Sequence, residues 1–276
     1  MNISLNNTTT LSHDNLNSLY FTNFNTSLKA VSVEDYNALA LIHKEKKLTK
    51  KVIYFYKKAL ELRVSALGML NSKTAISYMN LAEAYFEDGV VVKALDYYGK
   101  SLEINQTLFG KASLPSALVY AALANIHFSE ENLEQAFSFY MQALKIRKRL
   151  LGEMHPLTAQ SQHELGYFYA ASDEYSLALP LFVEALETRV ELYRLSHPET
   201  AKSYNSLAMC YYHLFNYDAA YTNLLEAIKI KELILPKSDE SLLLCKKNLF
   251  EIEKHMSKKT SKKSLIKTLF TKIKTL

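Results

Sequence analysis

Eight histidines, two cysteines and 28 carboxylates are the side chains in this sequence that could serve as bases, nucleophiles or metal ligands. Their spacing argues against all three roles. His155 and His197 each stand directly before a proline and lie 42 positions apart, which marks them as turn residues at helix starts. His43 and His127 occupy a position that at other steps of 42 holds Tyr85, Tyr169 and Tyr211, so they read as inter-helix packing residues. His163 and His213 have no carboxylate at metalloprotease-helix spacing, and Cys210 and Cys245 are not at zinc spacing. Six glycines spread over 276 residues cannot build a phosphate-cradling loop, and no Gly-x-Ser-x-Gly elbow occurs. The sequence therefore predicts no enzyme, no cofactor and no metal.

The elements that position these residues follow from a repeat. Steps of 42 link Leu39, Leu81, Leu123, Leu165, Leu207 and Leu249. Parallel columns hold Ala59, Ser101, Ala143, Ala185 and Ala227, and then Leu60, Leu102, Leu144, Leu186 and Ile228. Another runs Tyr56, Tyr98, Tyr140, Phe182 and Leu224. Small residues recur at Ala40, Ala82, Ala124, Gly166 and Ala208, with large ones such as Tyr78, Leu81 and Tyr85 on one helical face. Small against large predicts interlocking helix pairs. Turn signals at Glu87-Asp88-Gly89, Glu130-Glu131-Asn132, Ser172-Asp173-Glu174 and Phe215-Asn216-Tyr217 separate first from second helices. Gly68, Gly110 and Gly152 are placed for left-handed C-terminal caps, and Pro115, Pro156 and Pro198 for helix starts.

The pattern Leu-small-x-x-Tyr, followed by small, aromatic and Ala-Leu, resembles the tetratricopeptide motif with a period of 42. The stretch from Leu150 to Arg189 is similar to the repeats of kinesin light chain and of bacterial proteins sharing that longer version. The resemblance implies a free-standing member of the family. Its fold would be all-α, a right-handed superhelical solenoid of about five helix-turn-helix repeats plus a capping helix. Residues 1–30 are expected to be a low-complexity, largely disordered segment. Residues 31–254 form the solenoid, with repeats near 31–71, 72–113, 114–155, 156–197 and 198–237 and a cap over 238–254. Residues 255–276 form a basic amphipathic tail, with a flexible stretch from Ser257 to Ser264.

The resemblance also implies that each first helix lines a concave groove. Register from the leucine column then selects peptide-binding candidates: Asn37, Met79, Asn80, Glu83, Phe86, Leu118, Asn125, Phe128, His163, Tyr167, Lys202, Asn205, Met209 and Tyr212. The asparagines carry donors and acceptors suited to the backbone of an extended peptide, and the apolar residues offer pockets for its side chains. The groove is nearly neutral, unlike the basic groove with which kinesin light chain reads acidic, Trp-containing segments. The predicted function is a scaffold or adaptor that binds an extended segment of a partner protein. Alternatives are a peptide-responsive regulator and a peripheral membrane adaptor.

Charge distribution supports the last alternative. From Lys254 onward there are eight lysines and no acid, so the preceding chain holds 25 basic and 28 acidic residues. The mildly acidic body argues against nucleic acid. The tail residues Lys262, Lys263, Lys267, Phe270 and Lys272 are candidates for contact with an anionic membrane surface or an acidic partner. No run of about 18 apolar residues predicts a membrane span, and Met1–Thr10 lack the basic-then-apolar pattern of a secretory signal. Two unpaired thiols suit a reducing environment. Together these predict a cytoplasmic protein, and the resemblance to bacterial effector solenoids extends this to delivery into a host cell.

Overall fold

The computed structural model describes residues 31–193 and 196–274, with side chains as far as residue 257. The segment 1–30 and the side chains of the five tail candidates lie outside the described residues. The helices are α1 (Val33–Glu45), α2 (Thr49–Leu67), α3 (Ser72–Glu87), α4 (Val91–Phe109), α5 (Leu114–Ser129) and α6 (Leu133–Leu151). They continue as α7 (Pro156–Ala171), α8 (Tyr175–Tyr193), α9 (Pro198–His213), α10 (Tyr217–Ile234) and α11 (Glu240–Lys274). From α3 onward the first helices start at residues 72, 114, 156, 198 and 240, steps of 42 throughout. Second helices start at 49, 91, 133, 175 and 217, with the same step.

Local chemistry at the same period starts and stops each helix. The residue before each first helix from α3 onward turns its side chain back onto the orphan amides of the first turn. Asn71 accepts from the Lys73 amide at 2.9 Å, Ser113 from Ser116 at 3.4 Å, and Asp239 from Leu242 at 3.0 Å. In His155 and His197 the ring Nδ1 does this, accepting from Leu157 at 3.1 Å and Glu199 at 3.2 Å. The two His-Pro turn residues are thus N-caps, each followed by a proline whose missing N–H costs nothing at that position. At the other end of each first helix, Lys47, Gly89, Glu131, Asp173 and Phe215 take positive φ between 55° and 75°. The following amide returns five residues, as in Asn132 to the His127 carbonyl at 2.8 Å. That pairing is the Schellman motif.

The glycines closing the second helices behave differently from the expected left-handed cap. Gly68, Gly110 and Gly152 have φ near 80°, but their ψ values are 175°, 161° and 176°. This region is essentially closed to residues with a Cβ. The extended ψ swings the chain toward the next first helix.

Packing follows the columns. Leu39, Leu81, Leu123, Leu165 and Leu207 are buried, as are all the small residues of the two close-approach columns. Contacts run between consecutive helices, and the first helices α7 and α9 also meet directly. The result is an all-α repeat solenoid with one continuous side formed by first helices. His43 packs on Phe55 at 5.0 Å and His127 stacks on Phe139 at 5.5 Å, as inter-helix packing residues should. α11 buries Leu242, Cys245 and Ile252 against α9 and α10. It then continues without interruption to Lys274, through the stretch 257–264 expected to be flexible. No described helix is long and apolar enough to cross a membrane.

Candidate functional site

First helices meet side by side through paired polar and aromatic residues. Between α1 and α3, Lys44 bridges Glu83 and Glu87, each at 2.9 Å. Burial lowers the Lys44 pKa, but hydrogen bonds to the two carboxylates more than offset that and push it up to about 12. Between α5 and α7, Phe128 meets Tyr167 edge-on at 5.9 Å. Between α7 and α9, His163 and Ser206 are 3.0 Å apart. Between α9 and α11, Cys245 donates to Asn205 at 3.3 Å and Tyr212 lies 3.3 Å from His255.

A second periodic feature holds the repeats together, and it was not anticipated. Arg63, Arg147 and Arg189 lie in the last turns of three second helices and are all buried. Each donates to a carbonyl ten positions on and a serine hydroxyl fourteen positions on. Arg63 reaches the Lys73 carbonyl and Ser77 at 3.2 and 3.1 Å. Arg147 reaches Leu157 and Ser161 at 3.3 and 2.7 Å. Arg189 reaches Glu199 and Ser203 at 3.3 and 2.6 Å. Lys231 does the same with the Ser241 carbonyl and Cys245 at 3.3 and 3.4 Å. An acid stands by each arginine: Glu34 at 3.4 Å, Glu164 at 3.8 Å and Glu199 at 2.6 Å. The position between Arg63 and Arg147 in this column is Asn105, whose side-chain amide donates to the Pro115 carbonyl at 3.5 Å.

Two cavities open on the first-helix side. One, of about 370 Å³, lies between α3 and α5 and is lined by Ile76, Met79, Asn105, Phe109, Pro115, Leu118, Arg147 and Leu157 among others. The other, of about 300 Å³, lies between α7 and α9 and is polar, with Gln160, His163, Glu164, Arg189, Glu199 and Lys202. In the second cavity burial raises the Glu164 pKa, against the opposing pull of the Gln160 hydrogen bond and of Arg147, Lys202 and Arg189. The Oε2 of Glu164 is buried without a hydrogen-bond partner. Leu157 lines both cavities, so they are neighbours.

The predicted groove residues divide accordingly. Met79 and Leu118 line the apolar cavity and Lys202 the polar one. Tyr167, Leu118 and Met209 are exposed at 56%, 44% and 38%. Asn37, Asn80, Phe86 and Phe128 are half-buried, and Glu83 is held by Lys44. Asn125 is exposed, but its Oδ1 already accepts from Tyr140 at 2.6 Å. Asn205 and Tyr212 are engaged by α11. His163 also lines the polar cavity. The residue is 4% exposed and its ring lies 5.0 Å from that of Phe182, so it reaches the face only where it lines the polar cavity. Burial drives its pKa down to about 3.

The model for the tetratricopeptide repeat matches residues 73–149, 115–189 and 157–232 in overlapping spans, more than half of the chain. This chain belongs to the tetratricopeptide repeat family. No curated protein matches it in sequence. Solved structures share the TPR fold at low identity. BtubC (BKLC) from P. vanneervenii is 23% identical with a TM-score of 0.65, over 75% of this chain and 84% of that one. A putative kinesin light chain of nearly identical TPR-like repeats from Podosopora anserina is 19% identical with a TM-score of 0.60, over 74% and 97%. The apo form of RapI is 17% identical with a TM-score of 0.61, over 79% and 62%. At these identities the likeness shows the fold. TPR repeats generally mediate protein–protein interaction.

Proposed function

We propose that this TPR protein is a scaffold whose first-helix face takes an extended segment of a partner protein. The observation that carries this reading is the pair of neighbouring cavities, one apolar and one polar, along a face built by consecutive first helices. Exposed Leu118, Tyr167 and Met209 add apolar area on the same helices, and Gln160 and Lys202 in the lining of the second cavity offer polar groups to a backbone or side chain. The test uses peptides selected from a displayed random library on the full chain. Their affinity is compared with that for a variant carrying Asn80→Ala, Leu118→Ala and Tyr167→Ala. The expected result is a loss of at least about tenfold. Selected peptides that bind both proteins equally would remove the groove from consideration.

A second reading is favoured by one observation. α11 runs unbroken to Lys274 and carries eight lysines with no acid from Lys254 on. A basic helix of this kind suits docking on anionic lipid, at about 1 kcal/mol for each lysine near the surface. Lys262, Lys263, Lys267, Phe270 and Lys272 are the proposed contacts. Sedimentation with phosphatidylserine vesicles should favour the full chain over one ending at Lys254. Equal sedimentation rejects this role.

A further inference from the structure

The repeat supplies its own internal control. What recurs every 42 residues is what the fold requires, and a departure confined to one repeat points to something else. The buried cation column reads Arg63, Asn105, Arg147, Arg189, Lys231, and its serine partner column reads Ser77, Val119, Ser161, Ser203, Cys245. Both depart together at Asn105 and Val119. The positions that correspond to the acids Glu34, Glu164 and Glu199 of the other rungs are there Ile76, Ala122 and Pro115. The whole rung, cation, hydroxyl and acid, has been converted to uncharged residues. The cavity of about 370 Å³ lies where this rung is missing.

A third departure sits on its wall. The column Ala59, Ser101, Ala143, Ala185, Ala227 needs only a methyl group for close helix approach. Ser101 is fully buried, lines the cavity, and its Oγ has no hydrogen-bond partner. A buried hydroxyl left unpaired is a cost the fold avoids in the other four repeats.

We infer that the cavity at the missing rung is the specificity pocket of the groove, and that it takes one large, uncharged apolar side chain from the partner segment. This rests on the scaffold reading above. Charge decides the class of occupant. A cationic side chain would meet none of the acids that stand by the other rungs, and burying an unpaired charge is strongly unfavourable. An anionic one would meet only Arg147, whose guanidinium already donates to Leu157 and Ser161 and faces Glu164. The walls contributed by Ile76, Met79, Phe109, Leu114 and Leu118 are apolar, and the volume is within the range of side-chain and small-molecule pockets. Ser101, the lining residue whose Oγ is buried and unpartnered, supplies a polar anchor that orients the occupant.

Rebuilding the rung closes the pocket with a side chain that the fold already holds in three other places. The experiment therefore compares wild type, a rebuilt rung carrying Asn105→Arg, Val119→Ser and Ala122→Glu, the last restoring the acid that Glu164 supplies to Arg147, and the groove variant described above. A displayed random peptide library is selected on the wild-type chain, and the affinities of selected peptides are measured by fluorescence anisotropy. Selected peptides should share an uncharged apolar residue and lose at least about tenfold in affinity on the rebuilt-rung protein, with its thermal midpoint unchanged or raised. A second pocket variant, Leu118→Glu, places a charge at the exposed mouth without touching the core and should weaken the same peptides. Peptides that bind the rebuilt-rung and Leu118→Glu proteins as well as wild type, yet fail on the groove variant, overturn the pocket and leave the groove standing. Peptides insensitive to every variant overturn both. A shared charged residue at the peptides' sensitive position overturns the assignment of occupant.

Discussion

Arg147 donates to the hydroxyl of Ser161 across 2.7 Å, with both side chains buried. A guanidinium in that setting depends on each of its acceptors. Ser161→Val should cost about 1.5–3 kcal/mol, the range for a hydrogen bond to a charged group. Arg147→Asn alone should also destabilise. The pair Arg147→Asn with Ser161→Val reproduces the Asn105 and Val119 arrangement found one repeat earlier, so its cost should fall short of the sum by more than about 1 kcal/mol. Urea denaturation of the four proteins, followed by helical circular dichroism, measures the coupling. Additive losses would show that the two residues act independently.

This ladder marks the limit of what the sequence made legible. Leu39 and its successors, with the small-residue columns, gave period, helix faces and start points, because burial of apolar residues at a fixed step has one simple solution. The arginine column has the same step, but Asn105 and Lys231 interrupt its identity, and a charged residue near a helix end reads as solvated. Only the fold shows that each guanidinium is turned inward onto the next repeat. His163 shows the same limit, because its register places it on the first-helix face but does not show that the ring is buried, 3.0 Å from Ser206 and 5.0 Å from the Phe182 ring, at the lining of the polar cavity. For Asn125 and Asn205 the register does not show that part of their hydrogen-bonding capacity is already used by Tyr140 and Cys245.

Gly166 and Phe182 form a matched pair. A Cβ on Gly166 would lie 2.9–3.2 Å from the Phe182 ring, which is 1% exposed and has nowhere to move. Alanine normally gains about 1 kcal/mol over glycine within a helix. Here Gly166→Ala should instead destabilise, by about 1–3 kcal/mol, through overpacking. The next repeat pairs Ala208 with Leu224, so Phe182→Leu should relieve the clash. Thermal melts of the single and double variants decide it, and a stabilised Gly166→Ala would contradict this packing.

Glu131 occupies the positive-φ turn position at 58°, where the preceding repeat has Gly89 at 75°. A side chain in this region is disfavoured by about 1–2 kcal/mol, partly offset by the greater unfolded-state freedom of glycine. Glu131→Gly should therefore raise stability by up to about 1 kcal/mol, with a higher thermal midpoint. The residue is exposed, so no packing is lost. A lowered midpoint would mean that the turn favours glutamate for another reason.

His163 makes stability depend on pH. Burial, reinforced by the Arg189 and Lys202 charges, holds its pKa at about 3 in the folded chain, against about 6.5 unfolded. Between these values the unfolded state binds a proton that the folded state refuses. Stability is therefore full above about pH 6.5 and is lost as pH falls toward 3, by up to about 1.4 kcal/mol per unit. Glu164 acts in the opposite sense, because its raised pKa lets the folded state take up a proton first. Replacing His163 by the residue that the Met79 position carries two repeats earlier, His163→Met, removes the histidine contribution and leaves that of Glu164. Urea midpoints at about pH 7 and about pH 5 should then differ less in the variant than in wild type. An unchanged difference would show that the imidazole is not what the folded state keeps neutral.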